Sequence, residues 1–314
     1  MCNKFSTNIN NIRIFIEIGD NMKVALIVLN YNSYKDTAQY VELVSKYNVV
    51  NKIVVVDNCS TDGMFNELLK LKSEKVDVIS SEKNGGYSYG NNFGVKYLES
   101  KNEIYDYIII SNSDIYVEEN AICTCIDELE KDSNLAVCAP RMFYKNGPAR
   151  RSSWKLRTYF LDIIHSTRFL ELLFYPILRK GEYSNKEYEN NKLMVECISG
   201  AFFIIKYNIL KEIGYLDENV FLFYEEDILG TKIKNKGYKI ASINNVNFIH
   251  YESQTIGKVY NVKRKLKIMD KSKKYYQGSY NHVNKVGLAI LDILNFIRKI
   301  ELLIEVPIRK LLKK

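Results

Sequence analysis

Three stretches of the sequence place amide and carboxylate side chains directly after a run of apolar residues. These stretches are Asn30-Tyr31-Asn32, Asp57-Asn58 and Asn112-Ser113-Asp114. A short apolar run closed by polar residues is typical of a buried strand in a parallel sheet. Because the carboxyl ends of such strands meet at one edge, where open α/β sheets bind ligands, we expect these endings to converge on one site. A polar cap or turn would explain any one of them alone.

The residue types at these endings suit a phosphorylated ligand and a cation. Asp114 ends a strand, and Mg²⁺ or Mn²⁺ binds few protein carboxylates while water and substrate phosphates fill its other positions. Neutralising a nucleoside diphosphate in this way makes it a better leaving group. Asp57 could accept a hydrogen bond from a nucleobase, and Tyr31 offers a ring for the base to stack on. The sequence lacks G-x-G-x-x-G and the Walker pattern, which disfavours a dinucleotide cofactor.

Strand and helix patterns alternate through the first half of the chain. The apolar runs predict strands at 23–31, 52–58, 76–80, 106–114 and 135–139, with helices between them and a glycine-rich turn at 84–94. This alternation predicts a parallel sheet covered by helices on both faces. The alternation stops after Arg141, and 144–192 is rich in aromatic and basic residues. Strand and helix patterns return at 195–210, followed by a helix that ends at Gly237 and by two strands, 239–243 and 246–251.

Composition and length indicate a soluble globular protein. The chain has 314 residues, 46% of them apolar and 26% charged, which allows one large domain with appendages or two domains. The six cysteines have neither metal-site nor disulfide spacing, so we expect free thiols in a reducing cytosol. Neither a membrane-length apolar run nor a signal peptide is evident, and we predict a cytoplasmic protein with a disordered extension at 1–21.

Positive charge is concentrated at the end of the chain. Residues 255–314 contain 15 of the 45 Lys and Arg residues but only 4 of the 37 Asp and Glu residues, so the remainder is slightly acidic. The pattern predicts two helical stretches, the first very basic and the second amphipathic. Such a tail suits either a helix packed on the main domain or a helix lying on a membrane surface. Nucleic acid is disfavoured as a partner, because no recognised module accompanies the basic residues.

Six motifs in order resemble glycosyltransferase family 2, the inverting enzymes of the GT-A fold, over about residues 23–255. They are "IVLNYNS" (27–33), "VVVDNCSTDG" (54–63), "NGGYSYGNNFG" (84–94), Asn112-Ser113-Asp114, "SGAFFIIKYNILKEIGYLDENVFLFYEED" (199–227) and "GYKIASINNVNFIH" (237–250). The resemblance implies a Rossmann-like, mostly parallel α/β sheet flanked by helices. It further implies a GT-A domain at 22–255, an acceptor-side insert at 144–192 and a helical C-terminal extension at 256–314.

The resemblance implies an enzyme that moves a sugar from a UDP- or dTDP-sugar, with Mn²⁺ or Mg²⁺, to a glycan or lipid-linked glycan. Members of this kind, such as rhamnosyltransferase-like enzymes, build bacterial surface polysaccharide, and this chain would work in the cytoplasm or peripherally on the inner face of the membrane. A nucleotidyltransferase is the alternative enzyme, although "NYNSYKD" (30–36) is not the basic glycine-rich loop expected there. The other alternative is a non-catalytic protein that binds membrane or nucleic acid through its basic tail.

The resemblance also implies roles for individual residues. Asp114 and His250 would bind the metal ion, and Glu226 would be the general base, where the family usually has Asp, with Glu225 and Asp227 beside it. The remaining residues fall into a nucleotide-sugar group (Asn30, Tyr31, Asn32, Asp57, Asn58, Gly86, Asn92, Asn112) and an acceptor group (Gly200, Ala201, Trp154). The acidic triplet would equally suit the first turn of a helix, His250 a structural role, and Gly200 and Ala201 simple packing.

Overall fold

The computed structural model describes residues 22–149, 152–178, 181–251 and 262–311. The predicted extension at 1–21 lies outside the described residues. The strands are β1 (Val24–Asn30), β2 (Lys52–Asp57), β3 (Val76–Ser80), β4 (Tyr107–Asn112), β5 (Ile115–Val117), β6 (Leu135–Tyr144), β7 (Gly147–Pro148), β8 (Ser153–Trp154), β9 (Lys192–Val195), β10 (Cys197–Ile198), β11 (Phe202–Lys206) and β12 (Lys239–His250).

The helices surround this sheet and continue beyond it. They are α1 (Tyr34–Val44), α2 (Phe65–Leu69), α3 (Tyr87–Ser100), α4 (Glu119–Lys131), α5 (Tyr159–His165), α6 (Arg168–Leu173), α7 (Tyr175–Leu178), α8 (Tyr207–Glu212), α9 (Glu225–Asn235), α10 (Val262–Ser279) and α11 (Lys285–Leu311). The predicted helical C-terminal extension is therefore present as α10 and α11.

The main sheet has the order β3-β2-β1-β4-β11-β6-β12-β5. Its first half, from β3 to β4, is parallel, as the alternation of strands and helices predicted. The second half is mixed, because β11 runs antiparallel to both β4 and β6 while β6 and β12 are parallel. The predicted class, an α/β fold with a mostly parallel sheet, is confirmed, but the sheet is not parallel throughout.

The two strands predicted at 239–243 and 246–251 form one long strand, β12. Its pairing with β6 shifts register between Ile243 and Asn247, which marks an irregularity rather than a strand end. The sequence "NNV" (244–246) resembles a turn, yet the chain continues in the same direction. The strand therefore reaches the carboxyl edge of the sheet, where it ends at His250.

Apolar side chains cover both faces of the sheet. Along β1, Leu26 and Val28 face a core shared with α1 and α4, while Ala25 and Ile27 face a second core shared with α3, α8 and α9. Burial on both faces explains why the strands are continuous apolar runs rather than alternating ones. This two-sided core fixes the strand ends that carry the polar residues.

The C-terminal helices pack on the part of the domain that leads into α9. Tyr276 of α10 belongs to a small buried cluster with Val220, Tyr224 and Ile228. Helices α10 and α11 run antiparallel, and Lys299 Nζ lies 2.9 Å from Asp270 Oδ2 between them. Among the described residues, no helix combines the length and the apolar character that crossing a membrane requires.

Candidate active site

The polar strand endings lie side by side at one edge of the sheet. In the register, Asn30 stands opposite Asp57, and Leu29 stands opposite Asn112. The strand directions thus bring together residues that are far apart in sequence. The half-buried Asn112 ends β4, and its backbone N–H donates to the carbonyl of Ala201 at 2.8 Å, which ties the start of β11 to the same edge.

Asp57 is held by neighbours that orient its carboxylate. Asn30 Nδ2 donates to Asp57 Oδ1 at 2.7 Å, and the backbone N–H of Ser60 donates to Oδ2 at 3.1 Å. Asn30 is itself fully buried and accepts a hydrogen bond from the Thr37 hydroxyl at 2.7 Å. The structure therefore gives Asn30 a supporting position behind Asp57 rather than an exposed one.

The loop after β1 is tied to the loop after β2. Asn32 has a left-handed backbone (φ 53°), and its side-chain oxygen accepts a hydrogen bond from the Thr61 N–H at 2.7 Å. Tyr31, which lies next to Asn32 in the loop after β1, is half-buried, so part of its ring remains accessible. Tyr31 is therefore the more accessible of the two side chains predicted to contact a nucleoside, because Asp57 is only 2% exposed.

Three of the predicted nucleotide-binding residues have partners within the protein. Asn58 Nδ2 donates to the carbonyl of Gly86 at 3.0 Å, and Asn92 Nδ2 donates to the carbonyl of Leu216 at 2.8 Å. Gly86 adopts φ 95°, and a Cβ there would lie 2.1 Å from the carbonyl oxygen of Phe221. These contacts hold the β3–α3 loop against the segment that leads into α9, and the role of the three residues in binding a nucleotide sugar stays a prediction.

Asp114 and His250 lie together at the edge of the sheet. His250 Nε2 is 3.3 Å from Asp114 Oδ1, and the two side chains are 19% and 12% exposed, respectively. The antiparallel pairing of β12 with β5 brings them together, since His250 stands opposite Ile115. The 3.3 Å distance is that of a hydrogen-bonded His–Asp pair, and it is also close to the roughly 3 Å that separates two ligand atoms at right angles on one cation. The described residues contain no group of three or more His, Cys, Asp or Glu side chains that could hold a metal ion, so the pair would bind one only together with water and substrate.

Glu226 lies at the start of α9, beside the residues that precede β11. Its Oε1 accepts a hydrogen bond from the backbone N–H of Gly200 at 3.3 Å. The Tyr87 hydroxyl donates to the Gly200 carbonyl at 2.5 Å. A Cβ on Gly200 would lie 3.1 Å from that hydroxyl and 3.3 Å from Glu226 Oε1, so the absence of a side chain at Gly200 lets these groups approach. Ala201 beside it is buried and offers no polar group of its own.

Burial raises the pKa values of the carboxyl groups at the start of α9. Burial raises the pKa of Glu226 from 4.5 to about 7, while the hydrogen bond from Gly200 opposes the shift. The pKa of Glu225 is raised further by burial and by its negative neighbour Glu226. Among the described residues, Glu225 Oε2 lacks a hydrogen-bond partner. A carboxylate with a pKa near 7 is suited to general base catalysis at neutral pH.

Asp227 differs from Glu225 and Glu226 because both of its carboxylate oxygens contact residues of the insert. It is 1% exposed, its Oδ1 accepts from the backbone N–H of Arg157 at 3.1 Å, and its Oδ2 lies 3.6 Å from Arg157 Nε. The indole N–H of Trp154 also points at Oδ2, at 3.4 Å. Asp227 and Trp154 thus join α9 to the insert, and of the three acids it is Glu226 that contacts Gly200, just before β11.

A buried network that the sequence did not reveal supports the start of α9. Tyr224 precedes the acids with a left-handed backbone (φ 68°), as does Phe223 before it (φ 69°). Such conformations cost on the order of 1–3 kcal/mol each and persist only where the surroundings fix them. The Tyr224 hydroxyl donates to Asp162 Oδ1 at 2.7 Å, and Gln277 Nε2 donates to the other oxygen at 2.6 Å. The Arg157 guanidinium lies 4.7 Å from the centre of the Tyr224 ring.

Comparisons with known proteins agree with this architecture. The family model described as Glycosyl transferase family 2 matches residues 25–213. The low-salt glycan biosynthesis hexosyltransferase Agl10 of Haloferax volcanii is 28% identical over 230 residues, which make up 72% of this chain. The match covers 66% of that protein, slightly less than two thirds of its length.

Solved structures with this fold include two glycosyltransferase complexes. One is GalNAc-T7 with UDP, GalNAc and Mn²⁺, with a TM-score of 0.58 and 14% identity over 88% of this chain and 54% of that one. The other is the mannosyltransferase PcManGT from Pyrobaculum calidifontis with GDP-Man and Mn²⁺, with a TM-score of 0.52 and 14% identity over 87% of this chain and 73% of that one. At this identity the likeness shows the fold alone.

Proposed function

The chain belongs to glycosyl transferase family 2, and on this premise we propose that it transfers a hexosyl group from a nucleoside-diphosphate sugar to a hydroxyl group of a glycan, with inversion at the anomeric carbon. The observation that carries the proposal is the position of Glu226. Burial raises the pKa of its carboxyl group to about 7. Glu226 contacts Gly200, and the adjacent Ala201 accepts a hydrogen bond from Asn112, which ends β4 at the edge where β2 ends at Asp57. These positions support a site in which the nucleoside and the diphosphate would bind along one edge, with Glu226 beside it as the base for the acceptor hydroxyl.

The donor would lie along this edge, with its nucleoside at the loops after β1 and β2. Tyr31 would stack on the base, and Asp57 would accept a hydrogen bond from it. Asp114 and His250 would hold Mn²⁺ or Mg²⁺, which when bound neutralises charge on the diphosphate. The likeness to folds crystallised with UDP or GDP-Man and Mn²⁺ supports this arrangement, and UDP- and dTDP-sugars are the donors we expect.

Glu226 would act on the acceptor. In a single displacement the acceptor oxygen attacks the anomeric carbon, Glu226 takes the hydroxyl proton, and the nucleoside diphosphate leaves with the bonding electrons. The small residues Gly200 and Ala201 would let the acceptor approach the backbone. Because Tyr87 and the Gly200 N–H fix the surroundings of Glu226, the carboxylate is oriented before substrate binds.

The acceptor would contact the insert at 144–192, which supplies aromatic and basic side chains beside α9. Trp154 and Arg157 already contact Asp227 there. A glycan or lipid-linked glycan of a surface polysaccharide fits this character, and the relative named as a glycan biosynthesis hexosyltransferase supports an acceptor of that class.

Incubation with a panel of UDP-, dTDP- and GDP-sugars tests the proposal. We expect one donor to be turned over slowly to free sugar and nucleoside diphosphate in a Mn²⁺- or Mg²⁺-dependent reaction, with the released sugar first appearing as the inverted anomer by NMR. Glu226→Gln should lose this turnover, whereas Glu74→Gln, at an exposed acid in the loop between α2 and β3, should keep it. Turnover with retention of configuration would refute the single displacement.

A further inference from the structure

An apolar stripe runs along the solvent side of α11. Six of its side chains are exposed at helical spacing: Ile290, Ile293, Phe296, Ile297, Ile300 and Leu303, with exposed fractions up to 67%. The opposite side of the helix is buried, and it includes the polar residues Asn295 and Arg298 as well as Leu291. The most apolar face of this helix therefore points away from the protein, the reverse of the usual arrangement in a soluble domain.

The stripe continues onto α6. The backbone N–H groups of Arg168 and Phe169 donate to the Glu301 carboxylate, the first at 2.7 Å and the second at 3.3 Å, so the start of α6 lies beside the later turns of α11. Phe169, Leu172 and Leu173 of α6 are themselves 58–68% exposed. Contiguous apolar surface of this kind marks a site of interaction with another molecule or with a membrane.

The neighbouring helix α10 presents a basic face on the same side. Contacts of Asp270 and Lys274 with α11 fix its orientation, and Lys273 and Tyr276 point into the protein. At 100° per residue, Lys267 and Lys271 lie next to the α11-facing edge and opposite the buried side. Lys263 and Arg264 share this outer face, and all four of these basic residues are exposed.

The geometry points to a membrane-binding surface formed by α6, α10 and α11, which lies on an anionic lipid bilayer. The apolar side chains of α11 and α6 would enter the boundary between headgroups and acyl chains, and the basic face of α10 would contact anionic headgroups. A second copy of this chain could cover the apolar stripe, but its own equivalent surface is equally basic and offers the α10 face no opposite charge, whereas an anionic bilayer matches both faces. Charge complementarity therefore favours lipid.

The surface is joined to the insert. The Tyr159 hydroxyl at the start of α5 donates to the Gly287 carbonyl of α11 at 2.9 Å, and Lys273 Nζ donates to Ser166 and Asn295, 3.1 Å from each. Membrane binding would thus hold the insert near the bilayer. The inference does not depend on the catalytic step, so it can fail while the proposed function stands.

Sedimentation of the full chain with vesicles tests this surface. We expect binding to phosphatidylcholine vesicles with about one third phosphatidylglycerol, little binding to phosphatidylcholine alone, and weakening as salt shortens the Debye length. Ile293→Glu with Phe296→Glu, and separately Lys267→Glu with Lys271→Glu, should each reduce binding at least about tenfold. Matched controls are Ile104→Glu, at a residue 74% exposed elsewhere, and Lys72→Glu with Lys101→Glu.

Circular dichroism and size-exclusion light scattering complete the test by reporting fold and mass. Equal binding of the surface variants and the controls would overturn the proposal, as would no binding to either vesicle. A wild-type dimer that the Ile293→Glu and Phe296→Glu changes convert to a monomer would also overturn it, because the stripe would then be an interface between copies. Loss of binding in the surface variants alone, with native spectra, is the supporting result.

Discussion

Replacing Glu226 with glutamine should abolish transfer and at the same time make the fold more stable at alkaline pH. Burial raises the pKa of Glu226 from 4.5 to about 7, so between these values the folded protein holds a proton that the unfolded chain has released. The stability linked to this proton is complete below pH 4.5 and is lost as the pH rises through 7. Above pH 7 the folded protein keeps an ionised carboxylate in a partly desolvated place.

The size of the effect follows from the shift. One pKa unit corresponds to about 1.36 kcal/mol, and since part of Glu226 reaches solvent, we expect wild type to lose roughly 2–3 kcal/mol across this window. Glutamine does not ionise, so the free energy of unfolding of Glu226→Gln should gain roughly that much over wild type between pH 5 and pH 8.5. Asp227, Arg157 and Tyr87 are common to both proteins, so their own titration largely cancels. Glu225 loses a negative neighbour in the variant, which lowers its pKa and adds to the predicted gain in the same direction.

Urea unfolding at the two pH values measures this difference, with Glu74→Gln as the control in which no such gain is expected. In parallel, kcat/KM of wild type should fall with acid through a pKa near 7, because the deprotonated form is the active base. In Glu226→Gln, kcat should fall by about 10²–10⁴ while diphosphate affinity stays nearly unchanged. A stability difference that is the same at both pH values, or an acid limb near the ordinary carboxyl pKa, would refute the reasoning.

Three further changes test the positions around the acids. Tyr224→Phe removes the 2.7 Å hydrogen bond to Asp162, so kcat should fall about tenfold with diphosphate affinity unchanged, and an equal loss of both would show a general loss of structure. Gly86→Ala combines φ 95° with a Cβ 2.1 Å from a backbone oxygen, so thermal unfolding should show a loss of about 2 kcal/mol or more, and a neutral result would contradict the loop packing. Asp57→Asn should weaken nucleotide affinity about tenfold in calorimetry while leaving kcat little changed, and unchanged affinity would remove Asp57 from the nucleoside site.

The strand ends could be predicted from the sequence because apolar runs followed by polar residues report local burial. Asn30, Asp57 and Asn112 therefore appear where the pattern indicated, and parallel pairing brings them together. The direction of a strand in the sheet, in contrast to its end, cannot be predicted from the local sequence, because it depends on the strands with which it pairs. The antiparallel insertion of β11 between β4 and β6, and the continuous β12, follow from such long-range pairing.

The supporting residues of the site were hidden for the same reason. Asn92 and Gly86 also contact Leu216 and Phe221, which lie more than a hundred positions away, so these contacts could not be predicted from the glycine-rich segment. Asp162 is different, because its burial can be predicted from the sequence. A carboxylate within the apolar run "YFLDIIH" (159–165) indicates a buried side chain that needs a hydrogen-bond partner. That partner, Tyr224, could be identified only when the insert and α9 were seen in contact.

Calorimetric titration with UDP, dTDP and GDP, each with and without Mn²⁺, tests the central claim most directly. One diphosphate should bind in a Mn²⁺-dependent manner to wild type, Glu226→Gln and Glu74→Gln, and Asp114→Asn should lose that binding. Failure of all three diphosphates to bind wild type, or undiminished Mn²⁺-dependent binding by Asp114→Asn, would contradict the assignment of this sheet edge as a nucleotide-sugar site.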